Sequence, residues 1–167
     1  MGEESIVREI RGIYDDYIAE VKNLLATRKP TDGLMGFGKR AGDDVCHERF
    51  ADRIEQKLND FAQALPSSES VYAVMRVVFE IPQKHKDDSL TYWMLLAVQG
   101  LTDVLIPLLT KQDAVKLSEL FSELYPKYSW LPVQKKIAAQ LFLQAGLKEH
   151  RGKGFFSLFN KRDGDKG

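Results

Sequence analysis

Apolar residues recur at steps of three and four along nearly the whole chain. In the first segment these residues are Ile6, Ile10, Ile13, Tyr17, Val21 and Leu24. Charged residues fill the positions between them, as on the exposed side of an amphipathic helix. No segment alternates apolar and polar residues for long enough to predict a sheet, and no repeated signature recurs at solenoid spacing. The pattern predicts an all-α fold, a compact bundle of six to seven helices joined mostly by short loops.

Proline residues mark the expected ends of these helices. Pro30, Pro66, Pro82 and Pro126 are expected to stop the first, second, third and fifth helices, because proline has no N–H for a helix interior. Gly146 is a natural cap for the end of the sixth helix.

Capping residues mark the expected helix starts. Asp43 or Asp44 suits the N-cap of the second helix. The apolar stripe of that helix is Phe50, Ile54, Leu58, Phe61 and Leu65. Thr110 with Asp113 is a capping-box-like pair at the start of the fifth helix, and Pro132 suits the first turn of the sixth.

The segment Tyr92–Val98 is apolar on every side, so it predicts the most buried helix, with Tyr92 and Trp93 in the core. Gly100 and Pro107 predict a kink or break further along. Polar residues interrupt the stretch from 92 to 109, whereas a membrane span needs about 20 largely apolar residues. A buried core helix is therefore the better interpretation. The acidic N-terminus predicts no signal peptide, and we expect a cytoplasmic protein.

Composition limits the classes of function. The chain has 167 residues, with 24 basic and 24 acidic side chains. A zero net charge argues against a protein that binds nucleic acid over its whole surface. The single cysteine, Cys46, cannot form an intramolecular disulfide or supply a zinc site made of several thiolates. The sequence contains no full set of metal ligands and no cofactor motif in its proper context, so neither a metal nor a cofactor is predicted.

The connection Thr31–Asp44 contains four glycines and near-matches to two phosphate-binding motifs. Residues 33–39 read G-x-x-x-x-G-K, and residues 36–41 read G-x-G-x-x-A. Both motifs require a preceding strand, and here a helix precedes them. A looser anion site is a candidate, made of the backbone at Gly36 and Gly38 with the side chains of Lys39 and Arg40. An ordered connecting loop is the favoured alternative.

Residues 43–48, Asp-Asp-Val-Cys-His-Glu, form a candidate catalytic site. Asp43 and Asp44 lie four and three residues before His47, so that a carboxylate could orient its imidazole as a base or as part of a metal site. Cys46 is a candidate nucleophile, because a helix N-terminus stabilises a thiolate. Structural roles are the favoured interpretation, with the aspartates capping the helix and Cys46 packed at the end of its stripe.

Two aromatic segments are candidate interaction surfaces. Tyr128 and Trp130 lie in the connection between the fifth and sixth helices. This connection is expected to form either a lid on one end of the bundle or a binding surface, and the lid is the favoured interpretation. Residues 148–167 carry six basic and three acidic side chains around Phe155, Phe156 and Phe159. This tail is expected to dock on its own bundle or a second copy, to dock on a partner or an anionic membrane surface, or to be partly disordered.

Together these features predict one helical domain over residues 1–147, followed by the tail 148–167. The leading hypothesis is a small cytosolic protein that acts by binding another protein, as an adaptor, regulator or inhibitor, with a homodimer as a further prediction. The alternative is an enzyme or ligand-binding domain whose site lies where the glycine-rich loop meets the second helix. Pocket shape around His47 is expected to separate the two.

Overall fold

The computed structural model describes residues 2–26, 40–84 and 88–147, with the backbone alone for residues 25, 40–45, 88 and 89. These ranges contain six helices: α1 Glu3–Ala26, α2 Arg40–Gln63, α3 Ser68–Lys84, α4 Asp88–Leu105, α5 Lys111–Leu124 and α6 Pro132–Gln144. Two short 3-10 turns follow α4 and α5, at Ile106–Leu108 and Lys127–Ser129. No strand occurs in the described ranges. The all-α prediction is confirmed, with six helices in the described part of the chain.

The helices pack in two layers of three. Consecutive helices contact each other in the pairs α1 with α2, α3 with α4, and α5 with α6. Within one layer α3 lies between α1 and α5, and within the other α4 lies between α2 and α6. The odd-numbered helices begin at the end of the bundle where the even-numbered helices finish, and we call this end the base.

The two layers meet along the apolar stripes that the sequence predicts. Phe50, Ile54 and Leu58 of α2 are buried, as are Ile10 and Ile13 of α1. The largest fully buried side chains are Tyr14, Phe79, Phe121, Ile10, Ile54, Leu58, Met75, Met94, Leu95, Leu117, Ile137 and Leu141. Each such side chain contributes roughly 1.5–3 kcal/mol by leaving water, so the interlayer stripes dominate the stability of the bundle.

Several predicted helix ends are confirmed. The Thr110 hydroxyl accepts a hydrogen bond from the Asp113 N–H at the start of α5. Pro132 occupies the first turn of α6, and Gly146 after its end has a φ of 72°, a left-handed conformation that suits glycine. Helix α4 ends at Leu105, and the 3-10 turn that follows contains Pro107.

Three predicted boundaries are wrong. Helix α3 continues past Pro82 to Lys84, because Pro82 is buried and its carbonyl accepts a hydrogen bond from the Thr91 hydroxyl at 2.8 Å. Helix α2 begins at Arg40, which places Asp43 and Asp44 inside it rather than at its cap. Leu65 lies beyond the end of α2 with an exposed side chain and a φ of 51°, since the chain reverses there to enter α3.

Helix α4 is predicted to be the most buried helix, but one of its sides is not buried. It contacts α2, α3 and α6, and these three neighbours leave its fourth side uncovered in the described part of the chain. Trp93 is 40% exposed there and Tyr92 is half-buried, so the prediction that Trp93 lies in the core is wrong. By length and composition alone Leu90–Leu108 could cross a membrane, and half of this stretch is buried inside the bundle.

Candidate functional site

The uncovered side of α4 carries apolar residues along most of its length. Trp93, Leu96, Ala97, Gly100 and Val104 follow one another at steps of three and four, so they share one side of the helix. Trp93 is 40% exposed, Val104 is 46% exposed, and Leu96 and Ala97 are half-buried. From position 93 to position 104 this surface, called the α4 face below, runs for about 16 Å at 1.5 Å per residue.

The two neighbouring helices form the borders of the α4 face. On the α2 side the ring of His47 lies 5.0 Å from that of Trp93. On the α6 side Lys136 forms an ion pair of 3.6 Å with Asp103, and the Thr102 hydroxyl donates a hydrogen bond of 2.6 Å to the Gln140 side chain. The face is therefore an apolar strip with polar groups along the α6 border.

Gly100 lies in the middle of the strip and leaves it open. A Cβ atom placed on Gly100 would meet no other atom within 4 Å. The absence of a side chain here allows another molecule to approach the helix backbone closely. Glycine in the interior of a helix costs about 0.5–1 kcal/mol relative to alanine, so its presence on this side is not explained by helix stability.

The outer sides of α1 and α2 differ sharply from the α4 face. They are joined by ion pairs of Glu9 with Lys57, Asp16 with Arg53, and Glu20 with Arg49. Charged side chains of this type keep a helix surface in contact with water. Single exposed apolar residues need no explanation, whereas a continuous apolar strip indicates an interaction site.

His47 packs among aromatic rings at the border of the α4 face. It is half-buried, and its ring lies 6.2 Å from Tyr17 and 6.4 Å from Phe50, besides its contact with Trp93. The backbone places Asp43 and Asp44 one turn earlier in α2, while their side chains lie outside the described part of the structure. The carboxylate–histidine pair therefore stays a prediction.

Cys46 is a free thiol, 3% exposed, at the end of the apolar stripe of α2. Burial raises its pKa, and the neighbouring Glu20 carboxylate raises it further, while Arg49 lowers it to a smaller extent. A nucleophilic cysteine needs a lowered pKa, so this environment works against a thiolate. Among the described residues no group of three or more His, Cys, Asp and Glu side chains could hold a metal ion.

We expect Cys46 to react slowly with iodoacetamide in the folded protein. Burial limits access of the reagent, and the raised pKa keeps the thiol protonated at neutral pH. The reaction rate should rise only above the pH of about 8.5 at which a free thiol ionises, and urea should accelerate it. Labelling followed by mass spectrometry over a pH series measures this, and rapid labelling near pH 6 would contradict it.

The remaining predicted ligand residues are not brought together by the described part of the chain. Gly36, Gly38 and Lys39 lie outside it, and only the backbone of Arg40 is described, at the start of α2. The anion site in the glycine-rich loop therefore stays a prediction. Phe155, Phe156 and Phe159 of the tail also lie outside the described residues.

The aromatic connection between α5 and α6 divides into a packed part and an exposed part. The Tyr125 hydroxyl donates a hydrogen bond of 2.7 Å to the Phe79 carbonyl, and the Trp130 indole N–H donates one of 2.6 Å to the Tyr125 carbonyl. The ring of Trp130 lies 6.3 Å from that of Phe142. Tyr125 and Trp130 thus form a lid on this end of the bundle, whereas Tyr128 is 93% exposed.

The α4 face was missed by reasoning from the sequence, which assigned its residues to the core. Apolar residues on all sides of a helix are consistent with complete burial and equally with one side kept for a partner. Comparison with models of protein families, with curated proteins and with solved structures finds no match for this chain.

Proposed function

We propose that this protein is a helical interaction module that binds an amphipathic helix of another protein along the α4 face. A single observation carries the proposal: the middle helix of one layer presents Trp93, Leu96, Gly100 and Val104 on a side that no described helix covers. Exposed apolar patches of this kind mark interaction sites in soluble proteins. An adaptor, regulator or inhibitor would use such a surface, and we propose that it acts in the cytoplasm.

The shape of the strip favours a helix as the bound element. A partner helix places apolar residues at i, i+3, i+4 and i+7 along one side, which matches the spacing on α4. Gly100 permits close approach at the centre, and Trp93 offers a large aromatic contact at one end. The Asp103–Lys136 pair supplies the polar border that is usual around the apolar centre of an interface.

Substitution of Gly100 by arginine is expected to weaken partner binding strongly without unfolding the protein. The new side chain has open space, and arginine favours a helix more than glycine does, so the bundle should keep its stability. A partner helix would have to remove the new guanidinium from water, and we expect at least about a tenfold loss of affinity, or 1.4 kcal/mol.

Gly12→Arg is the matched control for this variant. Gly12 is also inside a helix, a Cβ atom on it would also meet nothing within 4 Å, and it lies on α1 in the opposite layer. Affinity capture from the native cell with the wild type and both variants measures the difference. Proteins retained by Gly12→Arg and lost by Gly100→Arg support the proposal, and equal capture by all three forms contradicts it.

A photoreactive residue identifies what occupies the α4 face. Val104→benzoylphenylalanine places the crosslinker on the face, and Leu131→benzoylphenylalanine is the control, because Leu131 is similarly exposed, at 47%, before the start of α6. We expect position 104 to crosslink to an amphipathic helical segment of another protein and position 131 not to. Crosslinks from position 104 to a second copy of this chain would mean that the α4 face forms a homodimer. They would overturn the proposal that a helix of another protein binds there.

A further inference from the structure

A pocket of about 390 Å³ opens at the base of the bundle, between the start of α1, the end of α2 and the start of α3. Its apolar lining consists of Ile6, Phe61, Ala64 and Pro66. The polar residues at its edge are Glu3, Lys57, Asp60 and Ser70. We call it the base pocket. Its volume lies within the range of about 300–1,000 Å³ that is typical of ligand pockets.

The surroundings of the base pocket are acidic. Glu3 and Asp60 are exposed at its edge, whereas Lys57 is engaged with Glu9 of α1. A neighbouring groove between α1 and α3 shares Glu3 with the pocket, and its acidic residues outnumber its basic ones: it adds Glu4, Glu69 and Glu80 against Arg11 and Arg76, and Arg76 is paired with Glu80. A bound segment with an aromatic centre and cationic flanks would therefore match both the lining and the edge.

Two features at the pocket are unfavourable unless something covers them. Asp60 lies in the last turn of α2, where the partial negative charge of the helix end disfavours a carboxylate, and it makes no ion pair with any described residue. Leu65, next to Pro66, exposes most of its side chain to water. A cationic group near Asp60 and an apolar group near Leu65 would offset both.

The C-terminal tail has this composition. Residues 155–159 read Phe-Phe-Ser-Leu-Phe, with Arg151 and Lys153 before them and Lys161 and Arg162 after them. The tail as a whole carries six basic and three acidic side chains, a net charge of +3, so the rest of the chain carries −3. Attraction between opposite charges favours contact of the tail with an acidic surface, most strongly at low salt.

The tail also starts at the same end of the bundle as the pocket. Gly146 lies against the Lys111 side chain at the start of α5, and the Thr110 N–H donates a hydrogen bond of 2.8 Å to the Ser68 hydroxyl at the start of α3. Helix α4 lies between α6 and α2, and packed helices are 8–10 Å apart, so the two spacings from the end of α6 to the pocket amount to about 20 Å. Phe155 lies eight residues beyond Leu147, and eight extended residues span about 26–29 Å.

We infer that residues 151–162 of the tail dock in the base pocket of their own chain. Aromatic side chains of the Phe-Phe-Ser-Leu-Phe segment enter the lining of Ile6, Phe61, Ala64 and Pro66, and the flanking cations face Asp60 and Glu3. This contact covers the most hydrophobic part of the tail at the base of the bundle. It uses a surface separate from the α4 face, and it does not rest on the proposed function.

Methyl NMR of the full chain tests the docking without altering the bundle. The variant Phe155→Ser/Phe156→Ser/Phe159→Ser keeps the length and charge of the tail. We expect it to shift the methyl signals of Ile6 and Ala64 and to leave those of Val104 unchanged, independently of protein concentration. Unchanged Ile6 and Ala64 signals, or a shift at Val104 instead, would overturn the inference. A shift that disappears on dilution would mean that the tail docks on a second copy of the chain, and it would overturn docking within one chain.

Asp60→Lys tests the electrostatic part of the contact. A lysine in the last turn of α2 suits the helix dipole, so the bundle should remain folded while the docked tail is repelled. We expect tryptic cleavage after Lys153 and Lys161 to be about tenfold faster in this variant than in the wild type. High salt should accelerate the same cleavage in the wild type. Asp52→Lys is the control, because it makes the same charge change on α2 away from the pocket. Equal rates for the two variants contradict the inference.

Discussion

Phe121→Ala is expected to lower the free energy of unfolding by about 3–5 kcal/mol. Phe121 of α5 is buried, and its ring lies 5.0 Å from that of Phe79 in α3 in an edge-to-face arrangement. It also lies 4.8 Å from Tyr125 and 6.1 Å from Trp130, so the lid between α5 and α6 packs on it. Truncation removes the ring where one layer and the lid meet, and the rigid surroundings would leave a cavity.

This loss is a large fraction of the 5–15 kcal/mol that stabilises a typical domain. For a chain of this size, a shift of about 2–4 °C per kcal/mol predicts a fall of roughly 10 °C in Tm. Urea unfolding followed by circular dichroism and by tryptophan fluorescence measures the effect. Leu143→Ala on the exposed side of α6 is the control and should change the free energy by less than about 0.5 kcal/mol. A loss below about 1 kcal/mol for Phe121→Ala would contradict the central position of this ring.

Much of the fold follows from the spacing of apolar residues. The stripe of α2 is buried from Phe50 to Leu58 as predicted, and the Thr110 cap and the Gly146 end are where local chemistry places them. These features depend on contacts within a few residues of each other, and short-range spacing captures such contacts. Local chemistry also predicts the break after α4, because Pro107 has no N–H for the next helical hydrogen bond and its ring crowds the preceding turn.

The incorrect boundaries depend on contacts between distant residues. Pro82 stays inside α3 because the bundle buries it and Thr91 bonds its carbonyl. Leu65 adopts a left-handed φ because the path from α2 to α3 requires it, although leucine has no preference for that conformation. Local propensity does not determine a backbone conformation that tertiary packing imposes.

The candidate surfaces could be predicted even less well. Helix α4 is apolar on every side, so the spacing of its apolar residues does not show which side is exposed. The exposure of Trp93 depends on where α2 and α6 pack against it. The base pocket combines Ile6 with Phe61 and Pro66, which are far apart in sequence and form no motif. The aromatic tail did stand out in the sequence, because its composition differs from that of the helices before it.

Two tyrosine variants are expected to change stability in opposite directions. Tyr14 is completely buried, and its hydroxyl has no hydrogen-bond partner among the described residues. The hydroxyl of Tyr125 is also buried and donates to the Phe79 carbonyl at 2.7 Å. Because water bonds both hydroxyls in the unfolded chain, Tyr14→Phe should stabilise the fold by about 1–2 kcal/mol, and Tyr125→Phe should destabilise it by about 1–1.5 kcal/mol.

Each variant removes one oxygen atom and keeps its ring, so packing of Tyr14 on Phe50 and of Tyr125 on Phe121 serves as an internal control. Burial raises the pKa of both phenols, and the nearness of Tyr14 raises that of Tyr125 further. The unfolded chain therefore releases these protons first, and stability is lost as pH rises above about 10. Urea unfolding at pH 7 should show changes of opposite sign in the free energy of unfolding. At alkaline pH, this free energy should fall less steeply with rising pH in each variant than in the wild type. Equal destabilisation by the two substitutions would mean that the Tyr14 hydroxyl is hydrogen-bonded in the folded protein.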